Sequence, residues 1–177
     1  MTMNAALEEA YASQPIDDQT LDTLEFHHPS FVDETGQRTA IRVIYDTETW
    51  SLKLEASAPL NGGEYVDFLP VPFSFTQPGY AEDQVPTMTF SISNVSRLVT
   101  QYLELAIGQT TPIKMIYRPY LQSDTSMPQM DPVITMTLTA AVASTMQVTG
   151  TATLSDVHNW PFPSQKYTPE RFPGLQR

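Results

Sequence analysis

Apolar and polar residues alternate with period two through most of the chain, and with helical period in only two stretches. The first is residues 4–11 (NAALEEAY), where Leu7, Ala10 and Tyr11 share one stripe. Asn4 is placed as a cap, Glu8 and Glu9 sit early where the dipole favours acids, and Pro15 ends the run. These features predict a short N-terminal helix. Residues 21–27 (LDTLEFH), 40–45 (AIRVIY) and 51–56 (SLKLEA) then read as strands, with a turn at residues 33–36. The runs 40–45 and 51–56 suit an antiparallel hairpin across residues 46–50, and Asn61-Gly62-Gly63 is a turn that accepts positive φ.

Residues 64–75 (EYVDFLPVPFSF) are apolar and aromatic but interrupted by Pro70 and Pro72. Proline donates nothing to a ladder, so the stretch predicts an edge strand, a bulge or a kinked crossover. Residues 87–92 (TMTFSI) put Met88, Phe90 and Ile92 on one face. The second helical stretch follows. Ser93 or Asn94 caps it, Val95, Leu98, Val99, Tyr102, Leu103 and Ala106 form its stripe, and Gly108 stops it after about fourteen residues. Residues 112–120 (PIKMIYRPY) predict a strand that leads into a Pro- and polar-rich loop reaching Pro132. Residues 133–142 (VITMTLTAAV) and 147–154 (QVTGTATL) predict a long Thr-rich hairpin.

Few connections are long enough for helical crossovers, so the sheets should be mainly antiparallel. The predicted architecture is mainly β: an antiparallel β-sandwich or barrel with one flanking α-helix and the short N-terminal helix. No linker or composition break divides residues 1–177, which read as a single domain. Residues 160–177 form a Pro/aromatic C-terminal arm with Trp160, Phe162, Tyr167, Phe172 and Leu175, unable to continue a sheet.

Composition narrows the function classes. Nine Lys and Arg against twenty Asp and Glu give a net charge of −11, which lacks the basic footprint a specific nucleic-acid partner requires. Zero Cys removes disulfides, thiolate nucleophiles and Cys-based metal sites. No apolar run approaches the length of a membrane span, and the acidic start is unlike a signal peptide, so a chain folded in the cytoplasm is expected. Charge is uneven. Residues 1–90 hold 15 acids and 3 bases, net −12, whereas residues 91–177 hold 5 acids and 6 bases, net +1.

Candidate chemistry is sparse. His27 and His28 are adjacent and face opposite sides of a strand, and His158 stands apart in DVHNW near Asp156. The carboxylate pairs Asp17/Asp18, Asp33/Glu34 and Glu82/Asp83 all fall in turns or loops. No nucleophile elbow, EF-hand spacing or phosphate-cradling loop is present, so no catalytic, metal or cofactor residue is assigned. Two stretches point to recognition instead. Tyr117-Arg118-Pro119-Tyr120, with Met127, Gln129, Met130 and Asp131, carries residue types enriched at interface cores. The tail residues Tyr167, Arg171, Phe172 and Leu175 suit either closure of the domain's own core or an arm that reaches a neighbour.

The opening MNAALEEAYAS, the central YRPYLQSDTSMPQMDP, the helix SNVSRLVTQYLELA and the closing YTPERFPGL together resemble a family of tailed-phage proteins, domain of unknown function eighteen thirty-three. The resemblance runs nearly end to end. It implies position rather than chemistry: genes of this family usually lie among siphophage tail genes, where distal-tail and tail-tip hub proteins are encoded. What it implies here is a structural virion protein, made in the host cytoplasm and located at the tail tip. Such a subunit would form a ring, hexameric rather than trimeric, and meet the tail tube, the hub and the tape measure. The acidic first half would then face the lumen. Two other readings stay open: a carbohydrate- or receptor-binding module using Trp50 and Trp160, and an assembly factor absent from the mature virion.

Overall fold

Period-two alternation makes most of the strands; burial follows it position by position at residues 87–93, whereas residues 115–121 are buried throughout. The structure, a computed structural model, describes residues 2–3, 8–9, 12–13, 18–33, 35–76, 86–94, 97–106 and 108–154. The strands are β1 (Thr2–Met3), β2 (Thr20–His27), β3 (Ile41–Ile44), β4 (Trp50–Lys53), β5 (Tyr65–Pro70), β6 (Phe73–Thr76), β7 (Thr87–Ser93), β8 (Lys114–Leu121), β9 (Met130–Asp131), β10 (Ile134–Ala143) and β11 (Gln147–Leu154). A nine-stranded sheet runs β4-β5-β3-β2-β8-β10-β11-β7-β6, and β1 pairs with β9 in a separate two-stranded ribbon. All pairings are antiparallel except β3 with β5. The mainly-β sandwich or barrel-like fold with one helix is what the alternation predicts.

The Pro70-Val71-Pro72 kink rolls the sheet. Val71 N–H donates to Ile44 O at 3.0 Å, and Ser93 N–H donates to Pro72 O at 2.9 Å, so two successive residues serve opposite flanks of the sheet. The segment leaves β3 and joins β7, because a proline imino nitrogen has no ladder bond to lose there. Rings from distant strands consequently meet inside: Phe75 of β6 lies 5.0 Å from Tyr117 of β8, and Phe26 of β2 lies 5.5 Å from Phe90 of β7. Met88, Phe90 and Ile92 are all buried in this main core, as their spacing predicts. A smaller core of Leu21, Ile44, Leu52, Leu54, Phe68 and Tyr120 lies on the other face, under β4 and β5.

Three local expectations are corrected. Runs 40–45 and 51–56 do not form a hairpin: β4 pairs with β5, while β3 lies antiparallel to β2 and parallel to β5. Pairing with β5 is favoured because it places Leu52 opposite Val66 and Trp50 opposite Phe68, closing the smaller core. The helix α1 (Leu98–Ala106) is shorter than its stripe suggests. Arg97 adopts φ 54°, and the Asn94 amide donates to Ser144 O at 2.7 Å, so Asn94 ties the β10–β11 tip to the body and α1 begins beyond it. Its end is as expected, with Gly108 at φ 81°. The loop before Pro132 contains β9, which pairs with β1. Of the expected N-terminal helix, Glu8, Glu9, Ala12 and Ser13 are helical, and the rest lies outside the described residues, as do Val95 and residues 160–177.

α1 closes one end of the roll by burying Val99, with Tyr102 set 5.4 Å from the Phe31 ring. Gly150 permits another close contact. A Cβ there would stand 2.5 Å from Phe90 Cζ and 3.0 Å from Ala140 O. Gly150→Ala should therefore destabilise the protein by about 1–3 kcal/mol, read as a lower midpoint in urea unfolding.

Candidate subunit interface

The Tyr-Arg-Pro-Tyr motif occupies the second half of β8, in the middle of the sheet. Alternation turns Met115 and Tyr117 into the main core and Ile116, Arg118 and Tyr120 to the opposite face. Pro119 is tolerated in a central strand because β10 pairs with β8 only as far as Tyr117, and past that point Gln129 N–H donates to Pro119 O at 2.9 Å. Tyr117 donates its hydroxyl proton to Asp22 Oδ1 at 2.7 Å, and Tyr120 donates to Lys53 O at 2.9 Å. Burial raises the Tyr120 phenol well above its usual range.

Arg118 is fully buried and anchors a charged cluster on the face opposite the main core. It holds Glu55 through two parallel bonds, Nε to Oε2 at 2.7 Å and Nη2 to Oε1 at 2.8 Å, and donates from Nη1 to Glu25 Oε2. Arg42 Nε donates to Glu25 Oε1 at 2.8 Å, and His27 Nε2 lies 3.2 Å from that oxygen. The chain of contacts continues from Arg42 through Asn61 to Glu64. Burial alone would raise the Glu25 pKa, but His27, Arg118 and Arg42 together outweigh it and hold the carboxyl at about 2. Glu55 and Glu25 likewise raise Arg118 against the opposing effect of burial.

A folded-state pKa below the ordinary value of 4.5 means that Glu25 contributes stability fully above pH 4.5. That contribution should disappear as pH falls from 4.5 towards 2. Urea unfolding at a series of pH values should show this slope in the wild type, and Glu25→Gln should flatten it.

Of the residues singled out for an interface, Tyr117, Arg118, Pro119, Tyr120, Gln129 and Met130 lie inside this chain's own fold. Their aromatic and cationic groups are used for internal packing and ion pairing. Met127, 58% exposed, and Asp131 are at the surface, on a loop shaped by Asp124, which accepts from Ser126 N and Oγ and from Gln129 Nε2. Tyr167, Arg171, Phe172 and Leu175 lie outside the described residues, as do Trp160, His158, Asp17, Glu34, Glu82 and Asp83. Trp50 is half-buried against the smaller core and donates Nε1–H to Asp46 Oδ2 at 2.6 Å, which leaves little of its ring as a platform.

His28 is buried, with Nδ1 accepting from Ser30 N at 3.1 Å and Nε2 donating to Thr111 O at 3.0 Å. Asp33 shapes its turn by accepting from Thr35 and Gln37, and Asp18 accepts from Ser123. Among the described residues no His, Asp and Glu gather in a group able to hold a metal, and no helix is long and apolar enough to cross a membrane.

The Glu25–Arg118–Glu55 cluster was missed in the sequence because its partners are far apart along the chain. Its one local trace is LDTLEFH, where Glu25 shares the face of Leu21 and Thr23 and not a solvated one.

Residues 6–167 match the model of a family described as Domain of unknown function (DUF1833). No curated protein matches the chain.

Proposed function

The chain thus belongs to the DUF1833 family, and for it we propose a structural role in a long non-contractile phage tail. It is a ring-forming tail-tip subunit, sixfold rather than threefold, that joins the tail tube to the central hub. Its partners are further copies of itself, the tube, the hub and the tape measure, and its place is the virion after synthesis in the host cytoplasm. The observation that carries this reading is apolar exposure on an acidic chain: Val142 is 67%, Met146 79% and Met127 58% exposed. Val142 lies on the β10–β11 hairpin and Met146 at its tip, where apolar side chains gain by acquiring a neighbour. The likeness of YRPYLQSDTSMPQMDP and YTPERFPGL to tail proteins supports the same reading, with the C-terminal arm as a second contact. The acidic surface of the first half faces the lumen and keeps DNA from adhering during passage.

Deleting the gene from the phage or prophage that carries it should leave DNA-filled heads without functional tails in negative-stain micrographs. Tailed, infectious particles from the deletion would refute the proposal. A glycan-binding module would need exposed stacking rings, and Trp50 is already engaged by Asp46.

A further inference from the structure

The nine-stranded sheet is divided by charge along its strand order. Each strand from β4 to β8 in that order carries an ionisable charge: Lys53 in β4, Asp67 in β5, Arg42 in β3, Glu25 in β2 and Lys114 in β8. The four contiguous strands β10, β11, β7 and β6 carry none, with sequences ITMTLTAAVA, QVTGTATL, TMTFSIS and FSFT. The chain as a whole has net charge −11, so this uncharged wall differs sharply from the rest of the surface.

The wall's inner face is the main core, through Met88, Phe90, Ile92, Val148 and Ala152. Its outer face is made of short hydroxyl and aliphatic side chains in cross-strand register. One row runs Thr76, Thr89, Thr151, Ala140, and the next runs Ser74, Ser91, Thr149, Val142. An open trough of about 410 Å³ lies over these rows.

Among the described residues one edge of the wall is also unpaired. β10 pairs with β11 as far as Ala143, but its pairing with β8 stops at Thr137, and Leu138 N–H reaches only Ile113 O at 2.9 Å. Among the described residues no strand lies along the remaining edge. Ser144 N–H donates to Gln147 O at 2.8 Å, so the two-residue alternation turns the backbone groups of Ala143 and Ala141 away from β11. Neither proline nor a charged side chain guards this edge, the usual protections against strand addition.

We infer that this uncharged wall, with the β10 edge at its margin, is the surface on which a second copy of the chain docks. The inference rests on the ring-forming role proposed above and names the contact that makes it. Two copies at −11 each repel wherever their acidic surfaces approach. The wall brings no strand carboxylate of one copy against a carboxylate of the other. A charged partner of either sign would gain no ion pair from these strands. Small side chains along β10 let a neighbouring backbone approach Ala141 and Ala143 closely enough to add a strand.

Sedimentation of the full chain over a range of concentrations and salt tests this. Reversible self-association is expected, tighter at higher salt because salt screens the net charge. Val142→Glu and Thr89→Glu, each on the exposed outer face, should weaken it by about tenfold or more. Ser51→Glu, exposed on the charged half, should leave it within about twofold, and unchanged far-ultraviolet circular dichroism would show that all three variants fold. A wild-type chain that stays monomeric throughout, or whose wall binds a different tail protein in place of a second copy, overturns the inference. So do wall variants that associate as tightly as the wild type. Failure here is separable from failure of the proposed function: self-association through the wall by a chain absent from virions refutes only the latter. A chain present in virions whose wall variants associate normally refutes only the former.

Discussion

Replacing Arg118 with alanine should destabilise the protein by about 3–5 kcal/mol, because it strips the main cationic partner from a buried carboxylate. Glu25 is fully buried, and in the variant only Arg42 and His27 would remain beside it. Glu55 would lose both bonds that hold its loop against β8. The loss can be read from urea midpoints, and a second readout separates electrostatics from simple cavity formation. Without Arg118 the Glu25 pKa should rise from about 2, so acid destabilisation should begin at higher pH than in the wild type. Arg118→Lys should fall between wild type and alanine, since a single ammonium retains charge but cannot reproduce the parallel pair to Glu55. Equal loss in the lysine and alanine variants with an unmoved acid limb would show that Arg118 acts through its volume alone.

Phe68→Ala should cost a similar amount, about 3–5 kcal/mol, for a different reason. Phe68 is fully buried in the smaller core, where its ring meets Tyr120 at 6.5 Å. That core has few other members, Leu21, Ile44, Leu52 and Leu54, so little material is available to fill the cavity. The loss should also be local. β4 and β5 lie at one end of the sheet order, whereas the main core joins β2, β7, β8, β10 and β11. Hydrogen exchange should accelerate first at Trp50–Lys53 and Tyr65–Pro70, with β7 and β11 retaining protection. Uniform acceleration across all strands would mean that the two cores unfold as one.

Much of this fold was legible because burial follows alternation in particular strands. Met88, Phe90 and Ile92 needed nothing beyond period two, and the Thr-rich run from Ile134 to Leu154 folds as the expected hairpin. Pro70 and Pro72 signalled a break, and the crossover found there is one of the outcomes their chemistry allows. Partner choice was less legible. Nothing local tells Trp50–Lys53 to pair with β5 and not β3, because that choice is decided by which pairing closes a core assembled from distant residues. The same holds for Arg118. Its neighbours in sequence, Tyr117 and Tyr120, resemble an interface cluster in composition, yet its ion-pair partners lie 93 and 63 residues away.

Charge changed meaning in the same way. The split of −12 and +1 between residues 1–90 and 91–177 follows the chain, but the sheet divides differently. β6 and the first four residues of β7 belong to the acidic half by sequence and to the uncharged wall by position. Topology brings them beside β10 and β11, and only then do four uncharged strands stand side by side.

The proposed place in the tail is tested most directly by quantitative mass spectrometry of purified virions. A structural tail-tip subunit should be present in a fixed ratio to the other tail-tip proteins, unchanged by further purification of intact particles. Its absence from intact, infectious particles would contradict the role.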